Sequence, residues 1–311
     1  KFILICIGTP IDHNLNPKVK EFLNFFYFLK KLVKKSQIII IRSSIFPGVF
    51  DKVCKILAKR NNNIVYCPER IVQGRAIEEL PKLPQIIAGK NKLSIFTTKN
   101  LFKKIVKKKI IITSVLEAEL IKLFSNANRY VNFSIANQLY MICKENNLNF
   151  NKVRNIMRDG YERNLNLPTA GFTAGPCLLK DTMQLSSFYK NKFSLGHTAM
   201  QINENIPKFL IRNLKKKYNL KKKIIGVLGL AFKAETDDIR DSLSIKLVKY
   251  LKRMKLKILQ SDEYYKNEFN VKKEFLVKNS DIIIIAAPHE KYKKIKFPKS
   301  KIIIDIWGMR K

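Results

Sequence analysis

In Gln37-Ile38-Ile39-Ile40-Ile41-Arg42-Ser43-Ser44 a run of four isoleucines stops abruptly at a cation and two hydroxyls. Such a run predicts a strand, which Arg42-Ser43-Ser44 ends. Upstream, residues 1–8 form a second apolar run ending in Gly8-Thr9-Pro10, a buried strand entering a loop. Between them, Pro17 to Lys35 has helical periodicity, with Phe22, Phe25, Phe26, Leu29 and Leu32 on the stripe expected to be buried. Downstream, Pro47-Gly48 opens a helix to about Arg60. Ile64-Val65-Tyr66-Cys67 is a strand running into Pro68-Glu69-Arg70, and Gln85-Ile86-Ile87-Ala88-Gly89 is a further one. Strands alternating with helices predict a doubly wound parallel sheet, whose ligands bind beyond the carboxyl ends of the strands. Gly8-Thr9-Pro10, Ser43-Ser44 and Pro68-Glu69 all fall at that edge. No G-x-G-x-x-G with a downstream acidic residue occurs in this part, so the first half of a dinucleotide-binding domain is expected to be missing. The start at Lys1, in mid-strand and without methionine, implies missing upstream residues.

From Ser114 to about Asn147 there is neither proline nor glycine, and Leu116, Leu120, Leu123, Phe124, Ala127, Val131, Ile135, Leu139 and Ile142 recur at helical spacing. One long helix is predicted, of the kind that bridges domains or pairs subunits. Glu119, Lys122 and Asn126 share one of its faces. Further helices are expected over about 149–158, 181–190 and 195–217. The second α/β unit begins with Ile224-Ile225-Gly226-Val227-Leu228-Gly229, carries a helix near 245–252, and adds strands at 257–260, 281–286 and 301–306.

The formal net charge of +37, from 61 Lys and Arg against 24 Asp and Glu, raises the question of nucleic acid. The lysines are dispersed among abundant Ile and Asn, and their short runs at 107–109, 215–217 and 221–223 sit at element boundaries. That pattern predicts a solvated surface rather than a nucleic-acid face, with a positive field that favours an anionic substrate. Five widely spaced cysteines without a CxxC argue against a disulfide framework or zinc site and fit a reducing cytoplasm, and three scattered histidines leave metal chemistry little to stand on. No apolar run approaches a membrane span, and the opening residues do not form a signal peptide.

The stretch Gly171-Phe172-Thr173-Ala174-Gly175-Pro176-Cys177-Leu178-Leu179-Lys180-Asp181 places one cysteine at the end of a glycine-bearing turn, with Lys180 and Asp181 one helical turn on. A cysteine at a helix N-terminus beside a cation is expected to have a lowered pKa and to serve as a nucleophile. A buried structural cysteine after a turn is the alternative reading of the same residues.

Three ordered motifs resemble the NAD-dependent nucleotide-sugar 6-dehydrogenases, those acting on UDP-glucose, UDP-N-acetylhexosamines and GDP-mannose. They are Glu119-x-x-Lys122-x-x-x-Asn126, Gly175-Pro176-Cys177-Leu178-Leu179-Lys180-Asp181, and Gly229-Leu230-Ala231-Phe232-Lys233 with Thr236-Asp237-Asp238-Ile239-Arg240. The resemblance covers essentially the whole chain. It implies an α/β fold of two Rossmann-like parallel-sheet units, the first incomplete, joined by a long central helix and a helical domain. The divisions implied are 1–112 for NAD binding, 113–217 for the central helical dimerisation and catalytic domain, and 218–311 for the nucleotide sugar. The implied reaction is a four-electron oxidation of sugar carbon 6 to the uronic acid, through a cysteine thiohemiacetal and a thioester. Cys177 then matches the nucleophile, Lys122 and Asn126 the oxyanion donors, Asp181 a water-positioning carboxylate, and Glu69 an acid/base glutamate. Gly8, Thr9, Pro10, Ser43, Ser44 and Arg240 are implied for NAD, and Phe232, Lys233 and Arg163 for the nucleotide sugar. A homodimer through the long helix is implied as well, without metal, nucleic acid or membrane partners. Arg70 and Gln73-Gly74 after Pro68-Glu69 lie closer to the N-acetylhexosamine pattern than to the UDP-glucose one. A basic nucleic-acid-binding protein and an inactive remnant of the dehydrogenase are the competing readings.

Overall fold

The computed structural model describes residues 1–310 apart from Pro10, His13 and Ala174. It comprises two compact units, Lys1–Asn128 with Lys180–Ser194, and Arg129–Leu179 with Leu195–Lys311.

In the first unit, β1 (Phe2–Ile5), β2 (Ile38–Ile41), β3 (Ile64–Tyr66), β4 (Gln85–Gly89) and β5 (Ile110–Ile112) lie in that order in one sheet. The helices α1 (Val19–Leu32), α2 (Val49–Leu57), α3 (Ala76–Glu79) and α4 (Lys92–Lys103) join them. The pairings β1–β2, β2–β3 and β4–β5 are parallel, whereas β3 and β4, linked through only the four-residue α3, pair antiparallel. A full crossover helix is the usual requirement for parallel neighbours, and this link lacks one.

Ile39, Ile40 and Ile41 are completely buried, as befits a central strand. Strand β1 departs from the expectation. It lies at one edge of the sheet, and Leu4 is 52% exposed. On α1 the buried stripe holds Phe22, Phe26 and Leu29, but Leu32 is 61% exposed and Val33 is buried in its stead. The helix ends at Leu32, and Val33 turns extended while its N–H still reaches Leu29 O, which delivers its side chain to the core. At the start of α2, Gly48 has φ +85°, a left-handed conformation that a Cβ would strain.

Helices α5 (Val115–Glu145) and α7 (Leu178–Phe188) each run from one unit into the other. The second unit adds α6 (Phe150–Arg158), α8 (Ser194–Lys217), α9 (Leu243–Arg253) and α10 (Lys273–Asn279) around the strands β6 (Ile224–Leu228), β7 (Lys257–Ser261), β8 (Ile282–Ile285) and β9 (Ile302–Asp305). The sheet order is β7-β6-β8-β9, with every pair parallel. Its core joins Ile225, Val227, Ile282 and Ile284 to Leu247 and Leu251 of α9, Phe209 of α8, and Tyr140 and Phe150. Among the described residues, no helix is long and apolar enough to cross a membrane.

Candidate active site

Parallel pairing of β1 with β2 brings two strand ends together at the carboxyl edge of the first sheet. Thr9 Oγ1 donates to Ser44 O at 2.5 Å, and Ser43 Oγ donates to Ile7 O at 2.7 Å. Beside them Gly8 has open space where a side chain would stand. Of the residues expected to meet NAD, Gly8, Thr9, Ser43 and Ser44 therefore gather at one place, while Pro10 lies outside the described residues. One residue before Ser43, the buried Arg42 pairs with Glu69 beyond β3 and donates to Gln85 Oε1 at 3.1 Å. The other oxygen of Glu69 accepts the N–H groups of Arg70 and Ile71, so both carboxylate oxygens are engaged.

The second cluster joins α5 to α7. Asn126 Nδ2 donates to Asp181 Oδ2 at 2.6 Å, and both side chains are buried. Lys180 Nζ lies 3.0 Å from Asp181 Oδ1 and donates to Thr9 Oγ1 at 2.9 Å, while Gln184 Nε2 donates to Thr9 O at 3.3 Å. A carboxylate taken out of water is tolerated when a cation and a hydrogen-bond donor meet it, and Asp181 has one on each oxygen. The contacts form a chain from Asn126 through Asp181 and Lys180 to Thr9 and Ser44. Lys122, half-buried, stands one turn before Asn126 on α5. Glu119, a turn earlier, is turned to structural use, its carboxylate accepting Gly48 N–H at 2.8 Å and Phe50 N–H at 3.1 Å at the start of α2. Burial pushes its carboxyl above the ordinary range against the opposing pull of those two bonds.

In the second unit, Cys177 is exposed in the position before α7. Two residues earlier, Gly175 has φ +100°, and a Cβ there would lie 2.3 Å from the Phe232 ring. The loop thus passes so close over Phe232 that only glycine fits. Lys233 Nζ is 5.9 Å from the same ring. Arg240 is held above its ordinary value chiefly by its bonds to Asp238. Upstream, Gly171 N–H donates to Asn137 Oδ1 at 2.9 Å, and Asn137 Nδ2 donates to Asn203 Oδ1 at 2.8 Å. Arg163 is exposed, stacked 5.8 Å from the Tyr161 ring.

Sequence reasoning missed the double contact of Lys180, the pairing of Arg42 with Glu69, and the capping by Glu119. The position of Lys180 beside Asp181 was a signal, but its bond to Thr9 spans 171 positions of chain and has no local signature. A charged residue at the end of an otherwise apolar run was the signal for Arg42.

The sequence matches the UDP-glucose/GDP-mannose dehydrogenase family in three parts: its NAD binding domain over residues 1–106, its central domain over 116–205, and its UDP binding domain over 226–311. The UDP-N-acetyl-D-mannosamine dehydrogenase of Methanocaldococcus jannaschii is 30% identical, over 97% of this chain and 74% of that protein. That of Pyrococcus horikoshii is 29% identical, over 97% of this chain and 76% of the relative. The solved structure of the UDP-D-ManNAc dehydrogenase from Pyrococcus horikoshii superposes with a TM-score of 0.88 at 28% identity, covering 100% of this chain and 78% of that one. A UDP-glucose dehydrogenase from Pyrobaculum islandicum shares the fold, with a TM-score of 0.89 at 19% identity over 100% of this chain and 78% of its own.

Proposed function

The chain belongs to the UDP-glucose/GDP-mannose dehydrogenase family and is an NAD-dependent oxidoreductase of nucleotide sugars, and we propose that its substrate is a UDP-N-acetylhexosamine oxidised at carbon 6 to the uronic acid. Arg70 and Gln73-Gly74 after Pro68-Glu69 support that choice of sugar, as do the UDP-N-acetyl-D-mannosamine dehydrogenases among the relatives. The observation that carries the reading is the buried Asn126–Asp181 pair, tied through Lys180 to Thr9 at the carboxyl edge of the first sheet.

Gly8, Thr9, Ser43 and Ser44 fit NAD. They are small or hydroxyl-bearing and close-set at the ends of two parallel strands, where dinucleotides lie in such sheets. NAD, when bound, supplies the hydride acceptor for both oxidations. In the proposed chemistry, the Cys177 thiolate adds to the carbonyl carbon of the aldehyde, giving a thiohemiacetal whose oxygen takes the negative charge. Lys122 and Asn126 donate to that oxygen. After the second oxidation water cleaves the resulting thioester, oriented by Asp181 and relieved of its proton by Glu69, and the thiol leaves. Arg240 serves the cofactor phosphates, and Phe232, Lys233 and Arg163 the nucleotide sugar.

The proposal extends to the division of labour, with NAD at 1–112, the catalytic helices at 113–217 and the nucleotide sugar at 218–311. It also extends to a homodimer through α5. Phe124, Ile135 and Ile142 are exposed on one stripe of that helix, an apolar face suited to a second copy. Five free cysteines suit a reducing cytoplasm, and a uronic acid product suits the building of cell-surface polysaccharide. Incubation with UDP-N-acetylmannosamine, UDP-glucose or GDP-mannose and NAD tests the reading. About two NADH per sugar should form with the first, in keeping with two hydride transfers. One NADH per sugar, or preferred turnover of UDP-glucose, would overturn the corresponding part.

A further inference from the structure

Two fully buried ionisable side chains of the second unit, Asp262 and His289, have no part in the chemistry above. Both follow strands that flank β6, Asp262 after β7 and His289 after β8. The loop they embrace, Leu230 to Glu235, leaves the end of β6 and carries Phe232 and Lys233. Its first residues are held by Asp262, whose Oδ2 accepts Leu230 N–H at 2.5 Å and Ala231 N–H at 3.0 Å. Its last is held by His289, whose Nδ1 accepts Glu235 N–H at 3.0 Å. With Nδ1 an acceptor, the ring proton resides on Nε2, which faces Asp262 Oδ2 at 3.3 Å. Glu235 has φ +54°, an uncommon conformation for a residue with a side chain, so its bonds hold a strained turn in place. The rings of Tyr264 and Tyr292, centred 5.0 and 5.2 Å from the imidazole, close the pocket around it.

Burying ionised groups is expensive even when they are paired, so filling this space with bulk does not by itself account for the pair. What the pair supplies is direction: acceptors of fixed aim for three backbone N–H groups on a loop between two adjacent strands. We propose that Asp262 and His289 are positioning residues for the UDP moiety, clamping both ends of the Leu230–Glu235 loop so that Phe232 and Lys233 are presented ready-set to the nucleotide. The inference deepens the nucleotide-sugar reading and rests on it.

The test measures the dissociation constant for UDP by calorimetry, and KM for NAD and kcat by steady-state kinetics, in wild type, H289N, H289Q and H289L. Asparagine retains an acceptor near the Nδ1 position, glutamine a donor near Nε2, and leucine neither. H289L is expected to weaken UDP binding about tenfold with KM for NAD within twofold, and H289N and H289Q should each restore part of the loss. If H289L does not fold, H289N and H289Q carry the test, each expected to bind UDP about threefold more weakly than wild type. UDP binding within twofold of wild type in every folded variant overturns the proposal, as does an equal loss of UDP and NAD affinity, which marks general damage. A wild-type protein that binds no UDP sinks the nucleotide-sugar reading and this inference together, whereas normal wild-type binding with unaffected variants sinks the inference alone.

Discussion

The side-chain amide of Asn126 donates to the carboxylate of Asp181 at 2.6 Å, linking the middle of α5 to the first turn of α7. Both groups are buried, so neither has water to fall back on. The neutral amide leaves the negative charge on Asp181, which Lys180 balances from the other oxygen at 3.0 Å. Removing the donor strands one carboxylate oxygen, at a cost of about 1–3 kcal/mol. Asn126→Ala should therefore lower stability by that amount in urea titrations and reduce kcat by about a hundredfold, with KM for NAD little changed. Asn126→Asp should be worse in both respects, because it sets two carboxylates against each other. Full turnover in either variant would remove Asn126 from the reaction.

Thiol chemistry gives a second expectation. Cys177 and Cys6 are exposed, whereas burial pushes the thiol of Cys67 up to about 12 and that of Cys54 up to about 11. Only the thiolate attacks a disulfide reagent, so at pH 8 Cys177 and Cys6 should react fast while Cys54 and Cys67 lag by at least tenfold. Cys177→Ser should delete one fast equivalent and abolish uronic acid formation. Persistence of product in that variant would rule out Cys177 as the nucleophile.

The parts of the fold that were legible in the sequence are those with a strong local signature. Gln37–Ile41 reads as a strand because nothing polar interrupts its isoleucines, and it is β2 at Ile38–Ile41. The stretch from Ser114 to Asn147 reads as one helix because nothing breaks it, and it is α5 at Val115–Glu145. Helix α4 and strand β5 went unread, since Lys92–Lys103 is only weakly amphipathic and Ile110–Ile112 is a three-residue strand behind a lysine run. The cap at Asn91, whose side chain accepts Leu93 N–H and Ser94 N–H, was the available sign of α4. At the site, the residue types of Asn126 and Asp181 were readable from motif spacing, but their bond was not. Nor was the grip of Asp262 and His289 on one loop, for it depends on β7 and β8 flanking β6, and strand order is not written in any local stretch.

Glu119 offers a third test, of stability. Its two oxygens serve Gly48 and Phe50 N–H, and Gln has only one acceptor to offer while turning an NH₂ group toward the other donor. Glu119→Gln should cost about 1–3 kcal/mol at pH 7, measured by urea denaturation. Because burial raises the folded-state value of Glu119 above 4.5, its protonation favours the fold, and this contribution is complete below 4.5 and lost as pH rises through the raised value. Wild type should accordingly gain on the variant as pH falls through that window. Equal stability of the two proteins throughout would show that the cap contributes nothing.

Asp262 titrates with the opposite sign. Burial pulls its carboxyl upward, but the bonds from His289 and from the N–H groups of Tyr265 and Leu230 outweigh it and hold the value at about 2 instead of 3.8. A depressed carboxyl contributes stability that is fully present above the unfolded value and lost as pH falls through the folded one. A displacement of that size corresponds to about 2 kcal/mol. Asp262→Asn keeps the shape and forgoes the charge, so the gap in unfolding free energy between wild type and variant should be constant from pH 7 down to about 5. It should then shrink progressively between about pH 4 and pH 2, where the wild-type carboxyl takes up its proton. Urea titrations of both proteins across that range measure the gap, and one that stays constant down to pH 2 would mean that the ionised form of Asp262 is not what the four backbone N–H groups and His289 are holding.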